Sequence, residues 1–506
     1  MALLSRFPLH PLLLAAYAVL YLYSVNLDQV LPIDAAAPLA RSVLAAAGVT
    51  LVGALVLRDL RKGAIVASAI VAAFFGFGHV AGYLADVGLD DAAQVGAWGL
   101  LAVATFVYAL RARASLAQVT AGLNVVAIVL VLMVGATIVP YELSRAGRGP
   151  VSLASPVAAP TGVGPGRDIY FLVFDRYGSA DALERRFRIT DNDLYSWLED
   201  RGFDVPADSH ANYRATDFSL AATLNMQYLD NLTREVGRVS GDRTPAQDMI
   251  RDHEVGRFLK SQGYAYYQIG SWFGPTRSVP IADENLSFGD VSEFETVLND
   301  TTIMPAMDRL QGITEPESTI RDRHREGNLF GFRQLHRVAT APGPKFVFAH
   351  ILLPHDPYVF KADGSPLAEE EAKAMPERDL YAAHLAFTNA RIKEIVDDLL
   401  SGPPESHPIV IIEGDEGPLM CQSVDCVQRT PEYFRIRLGN LVAMYLPGVD
   451  VELPDTFSSV NTFRLVFREY FGADLPPLPD RNFTWPDNDH IYDFEDITDR
   501  VVDSAD

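Results

Sequence analysis

Three stretches of this 506-residue chain bring acid, hydroxyl and imidazole groups to positions where they could act together. Asp175 ends the apolar run IYFLVF, and Asp415 and Glu416 follow a second run in PIVIIEGDEGP. One carboxylate after an apolar run is ordinarily a helix N-cap. An Asp-Glu pair bracketed by Gly414 and Gly417, with Asp175 as a third acid, points instead to a cation site. Thr216 opens a helix-like stretch, NYRATDFSLAATLNMQYL, with Ser219 one turn later. Such a helix start has free N–H groups and a favourable dipole, so it would hold a phosphate or sulfate ester beside the Thr216 hydroxyl. A metal touching that hydroxyl would lower its pKa and make it a nucleophile; a plain N-cap is the structural alternative. FAHILLPHDPYVF carries two histidines. His355 stands past a strand end between Pro354 and Pro357, where it could bond a phosphoryl oxygen or protonate a leaving group. His350 lies within the apolar run, which reads as a structural role. In SWFGPTR, Trp272 could stack on an apolar or sugar group and Arg277 face an anion, a buried loop tryptophan fitting equally well. Arg214 and Arg176 are further anion-binding candidates.

These groups need a rigid edge to converge on. The apolar runs at 169–174, 264–269, 345–352, 409–412 and 441–446 are short and continuous, as in strands buried on both faces. Helix-like stretches at 181–201, 246–262, 318–339 and 378–400 separate them. That alternation predicts a mostly parallel sheet flanked by helices, with functional groups past the carboxyl ends of its strands.

The first 142 residues differ. Apolar stretches at 8–24, 39–57, 64–85, 94–110 and 118–140 are each long enough for a hydrocarbon core of about 30 Å. They predict a transmembrane domain of five helices at 1–142. The connecting loops alternate in charge. Asp28 and Asp34 mark one side, then Arg58, Arg61 and Lys62 the other, then Asp86, Asp90 and Asp91, then Arg111 and Arg113. Basic loops stay in the cytoplasm, so the N-terminus, with Arg6, is expected inside and everything after the fifth helix outside. A Gly/Pro/Ala-rich linker follows at 143–167, and an extracytoplasmic domain is expected at 168–506.

Of 42 basic and 65 acidic residues, 9 and 7 fall within the first 150, so the acidity lies in the C-terminal part. Such a surface repels nucleic acid and excludes it as a partner. Cys421 and Cys426 could form one local disulfide in an oxidising compartment and are a poor zinc signal.

Together these motifs resemble the alkaline phosphatase superfamily, and within it the sulfatase-like membrane transferases that include lipoteichoic acid synthase and lipid A phosphoethanolamine transferase. The resemblance spans 168–480, and the order of helices, linker and external domain agrees with it. In that family an acid ends the first strand, as Asp175 does here. A nucleophilic threonine opens a helix in T-x-x-S, matched by Thr216 and Ser219, and an Asp-His pair follows a later strand, where Asp415 and Glu416 stand. A substrate-contacting histidine lies in H-x-P, matched by His355-Asp356-Pro357. NLVAMYLPG and VNTFRLVFREYFGADLPPLPD extend the likeness. The resemblance implies a metal set of Asp175, Thr216, Asp415 and Glu416. With glutamate in place of histidine that set is all oxygen, which suits one divalent ion, Mn²⁺ or Mg²⁺ ahead of Ca²⁺ or Zn²⁺. The sulfatase signature C/S-x-P-S-R is absent, and formylglycine cannot be made from Thr216. The implied function is transfer of a phospho-group, phosphoglycerol- or phosphoethanolamine-like, from a lipid donor to a cell-envelope glycan or lipid. Thr216 and His355 would be catalytic, and Trp272, Arg277, Arg214 and His355 would hold substrate. A sulfatase-like hydrolase or phosphodiesterase is the alternative, and an inactive envelope scaffold is a second.

Overall fold

The computed structural model describes residues 7–112, 116–148, 156–158, 166–289, 291–312, 320–419 and 429–501. Cys421, Cys426, Arg6, Arg113 and most of the 143–167 linker lie outside the described residues. The chain forms two compact units: Met1–Gly149 with Val291–Ile320, and Pro150–Asp290 with Arg321–Asp506. The stretch expected as one continuous domain at 168–506 is thus interrupted by a return of the chain to the first unit.

The first unit contains α1 (His10–Ser24), α2 (Pro32–Leu57), α3 (Leu60–Asp86), α4 (Asp91–Arg111) and α5 (Ala117–Gly147). Capping carboxylates set two of the starts: Asp59 accepts from the amides of Arg61 and Lys62, and Asp90 from that of Ala93. Four helices, α2 to α5, are long and apolar enough to cross a membrane. α1 has 15 residues and reaches about 22 Å, short of a core about 30 Å thick. Among the described residues, four helices of membrane-spanning length and one shorter apolar helix stand where five crossings were expected. Polar side chains pin α1 in place. His10 Nδ1 lies 2.5 Å from Ser68 Oγ, and the Asn124 amide oxygen accepts from the backbone N–H of Leu9 and His10 at 2.9 and 2.8 Å.

The second unit is built on a six-stranded sheet. Its strands are β1 (Ile169–Phe174), β3 (Ala265–Gly270), β4 (Glu284–Ser287), β5 (Lys345–Ile351), β6 (Ile409–Glu413) and β7 (Val442–Tyr445), in the order β4-β3-β5-β1-β6-β7. All neighbours are parallel except β6 and β7. A separate parallel pair joins β2 (Asp208–His210) to β8 (Thr456–Ser458). The central strand shows why its sequence is apolar throughout. Ile169, Phe171 and Val173 enter one hydrophobic core, while Tyr170, Leu172 and Phe174 enter the other. Burying each large side chain there contributes roughly 1.5–3 kcal/mol. β4 (ENLS) is polar, sits at the sheet edge and escaped the sequence reading. The stretch 246–262 is two helices, Thr244–Arg251 and Glu254–Ser261. Because β1, β3, β5 and β6 run parallel, their carboxyl ends share one edge of the sheet.

Candidate active site

At the end of β1 the Asp175 amide still donates to Ile351 O at 2.9 Å, which extends the ladder with β5 by one bond. The chain then turns sharply: Arg176 takes φ 60°, the left-handed region. This turn aims the Arg176 amide at Asp415 Oδ1, at 2.9 Å. The Glu416 amide donates to the same oxygen at 2.9 Å. Two backbone donors thus hold one oxygen of Asp415 and leave the other, Oδ2, free of them. The flanking glycines have a steric reason. A Cβ on Gly414 would meet Tyr177 O at 2.3 Å, and one on Gly417 would meet Ile436 O at 2.0 Å.

His350 reaches the same place from β5. It is opposite Val173 in the β1–β5 register, and its Nε2 lies 3.7 Å from Asp175 Oδ2. Its Nδ1 lies 2.8 Å from the Thr276 hydroxyl, which donates to Phe273 O at 3.3 Å. Ser271 Oγ lies 3.3 Å from the same nitrogen, and a proton on Nδ1 shared with these hydroxyls would leave Nε2 presenting a lone pair. One ligand atom each from Asp175, His350 and Asp415 lies within 4.8 Å of the others, and all three residues are buried. Asp175 Oδ1, Asp415 Oδ2 and His350 Nε2 are buried without hydrogen-bonding geometry to any described residue. Thr216, the first residue of the helix Thr216–Asn225, has its hydroxyl close enough to Asp415 to favour the charged carboxylate.

Burial pushes Asp175 up to about 7, against Arg176 and with Glu416. Burial, then the charge of Asp175, pushes Asp415 up to about 7. Burial, then His355, pulls His350 down to about 3 and keeps it neutral. Asp356 pairs with Arg176 at 2.7 Å. Asp175, Asp415, Glu416 and Asp356 thus surround the two guanidinium groups of Arg176 and Arg437, which leaves two negative charges when all four acids are ionised. Orphaned, buried, like-charged donors with one oriented imidazole fit a divalent cation.

No family model matches the chain, and no curated protein matches it. Solved structures do. The C-terminal periplasmic domain of EcEptC from Escherichia coli, in complex with Zn, superposes at TM-score 0.42 with 11% identity, over 68% of this chain and 96% of that one. The integral membrane lipooligosaccharide phosphoethanolamine transferase A (EptA) from Neisseria meningitidis gives TM-score 0.40 and 13% identity over 92% and 95%. An alkaline phosphatase superfamily protein from Vibrio parahaemolyticus gives 0.39 and 11% over 68% and 80%. Similarity this distant leaves the chemistry to be read from the site.

The other expected residues fall around this centre. Glu416 is not grouped with the three. One of its oxygens pairs with Arg437 and lies 3.5 Å from Arg176 Nε. Arg176, despite burial, is held charged by Glu416, Asp175, Asp356 and Asp415. His355 bonds the Asp356 carbonyl through Nδ1, and burial, then Arg176, draws it down to about 4. Neutral, with Nδ1–H donated, it offers Nε2 as an acceptor. Trp272 and Arg277 line a cleft with His350, Phe288, Arg323 and His324. Trp272 meets His324 edge-on at 5.8 Å. Arg214 stacks over Trp485 at 4.0 Å and donates to Thr484 Oγ1. Burial and the nearby Arg437 and Arg243 lower it to about 10. The Ser219 hydroxyl is buried with no hydrogen-bond partner among the described residues. Sequence reasoning missed the siting of His350 and the contributions of Thr276, Arg323, His324 and Arg437. Only His350 had a local signal, its place one residue before the end of a strand that leads to an H-x-P loop.

Proposed function

We propose that this chain is a membrane-anchored, metal-dependent transferase. It moves a phospho-group, phosphoglycerol- or phosphoethanolamine-like, from a lipid donor to an envelope glycan or lipid through Thr216. One observation carries the reading: a hydroxyl at a helix start stands beside a buried acid–imidazole group at the sheet's carboxyl edge. Asp175, His350 and Asp415 would hold the ion, with the Thr216 oxygen beside it. Of the ions expected from sequence, the imidazole favours Mn²⁺ over Mg²⁺, and it raises Zn²⁺ above Ca²⁺. When bound, the ion would lower the pKa of the Thr216 hydroxyl and offset charge on the reacting group.

The protein groups do the rest. The helix start orients the anionic ester. Thr216 Oγ bonds to phosphorus as the donor's ester bond breaks, and the hydroxyl proton passes to the leaving oxygen, so that the donor alcohol departs. The Nε2 of His355 then takes the proton of the acceptor hydroxyl, whose oxygen displaces Thr216, and that proton returns to Thr216 Oγ. Trp272, Arg277 and Arg323 line the cleft beside His350 and would hold the headgroup. The basic loops before α3 and before α5 support an extracytoplasmic second unit, a reading that holds whether or not α1 crosses.

Mass spectrometry of enzyme incubated with lipid extract is expected to find a phospho-adduct on Thr216. Thr216→Ala is expected to carry no adduct and to lose about 10³-fold or more in turnover. A fully active Thr216→Ala enzyme rejects the nucleophile, and turnover independent of any acceptor other than water shows a hydrolase.

A further inference from the structure

The segment that leaves the second unit carries a surface the transferase reading does not use. Residues 291–312 form two short helices, Glu293–Asp300 and Met304–Gln311, within the first unit. The first helix buries Phe294 and Leu298 against Val19, Tyr23, Leu27 and Ala35, and its Glu295 pairs with Arg41. The turn that follows binds α3 through backbone. Gly78 N–H donates to Thr301 O, and Ile303 N–H donates to Phe74 O, both at 3.0 Å. Phe74 O and Gly78 N–H are the two ends of one helical turn, and both engage the segment. A Cβ on Gly78 would sit 2.6 Å from Thr301 O, so only glycine permits the approach. Gly78 lies eight residues, about 12 Å, inside the end of α3 at Asp86. At that depth a non-helical backbone must be bonded to protein, and here it is.

The second helix presents the unexplained face. Its Arg309 pairs with Asp91 at the start of α4, which sets it at the level of that helix end. At 100° per residue, Ile303, Met304, Met307 and Leu310 fall in one arc of about 120°, with Arg309 opposite. Met304 is 41% exposed and Leu310 46%. Across the described residues of the second unit, Val239 alone is an exposed large hydrophobic. By contrast, the first unit carries many exposed apolar side chains, a band that includes Tyr83, Val87 and Leu89 at the α3–α4 end. A water-facing surface does not account for such a band, whereas the headgroup–acyl boundary of a bilayer does.

We propose that residues 291–312 form a membrane-seated strap, with the turn 301–303 dipping beside α3 and the Met304–Leu310 face immersed in the leaflet at the Asp86–Asp91 end. The occupant of the face is lipid. In sequence the strap lies between Phe288 and Arg323, two residues that line the candidate cleft.

Spin-label accessibility on the full-length chain in phosphatidylcholine vesicles tests this. In a Cys421→Ser, Cys426→Ser background, the single substitutions Met304→Cys, Met307→Cys and Leu310→Cys are labelled. Leu101 on α4 serves as the lipid-facing reference and Val239 as the water-facing one. The strap labels are expected to favour oxygen over a nickel chelate, as Leu101 does. A preference for nickel, like that of Val239, overturns the proposal. Shielding from both reagents also overturns it and indicates a protein partner or second copy on the face. The unsubstituted chain gives an independent readout with a diazirine-bearing phosphatidylcholine. Adducts are expected on 303–310, and adducts on α4 without any on 303–310 again overturn it.

Discussion

At Glu416 the carboxylate already has two guanidinium neighbours, Arg437 and Arg176, in a region almost closed to water. Its charge is compensated before any metal arrives, whereas Asp175 and Asp415 face each other with only part of their charge met. The two kinds of site respond differently to substitution. Glu416→Ala leaves Arg437 buried without its carboxylate and is expected to cost about 3–5 kcal/mol in denaturant unfolding, with metal stoichiometry intact. His350→Ala is expected to do the reverse, abolishing tight metal binding in equilibrium dialysis while costing much less stability without metal. Loss of metal from the Glu416 variant, with retention by the His350 variant, would restore the oxygen-only ligand set.

Short connecting elements carry the precision of the centre. The loop after β3 places Thr276, fully buried, with its hydroxyl 2.8 Å from His350 Nδ1, where it would accept an Nδ1 proton and leave Nε2 toward the acids. Thr276→Val removes that acceptor at nearly constant volume and is expected to weaken metal affinity by about 10–100-fold, with Thr276→Ser restoring most of it. Equal affinities for the three proteins would show that the ring is oriented by packing alone. In the first unit, α3 and the 301–303 turn meet at Gly78 with no room for a side chain. Gly78→Val is expected to lower stability by roughly 1–3 kcal/mol, visible as a lower thermal midpoint of the detergent-solubilised protein.

For the molecule as a whole, protons and metal compete for one buried charge. Asp175 and Asp415 each titrate near 7 in the fold, above their ordinary range near 4, while His350 stays neutral. Between about pH 4 and 7 the metal-free fold therefore binds more protons than the unfolded chain at these two acids. Their contribution to stability falls as pH rises through that window. A divalent ion must displace those protons. Its affinity is expected to rise about 10–100-fold per pH unit up to about 7 and then level off, with one to two protons released per ion. Calorimetry in two buffers of different ionisation enthalpy counts them. An affinity flat from about pH 5 to 8 would show that the ion binds elsewhere.

Much of this was legible in one dimension. The run at 169–174 is apolar at every position because both faces of β1 are buried, and the acid that follows must lie at the sheet edge. Thr216 and Asp415 were legible for the same reason, since a helix start and a strand end are local patterns. The role of His350 was not. It depends on register, which sets His350 opposite Val173, and on a loop from a third strand that orients the ring. The pairing of Glu416 with Arg437, 21 positions later, and the return of 291–320 to the first unit are likewise contacts between distant segments. Periodicity states which face of an element is buried, and composition states what medium it prefers. Neither states which element lies alongside, and that choice is made by the packing of the whole chain.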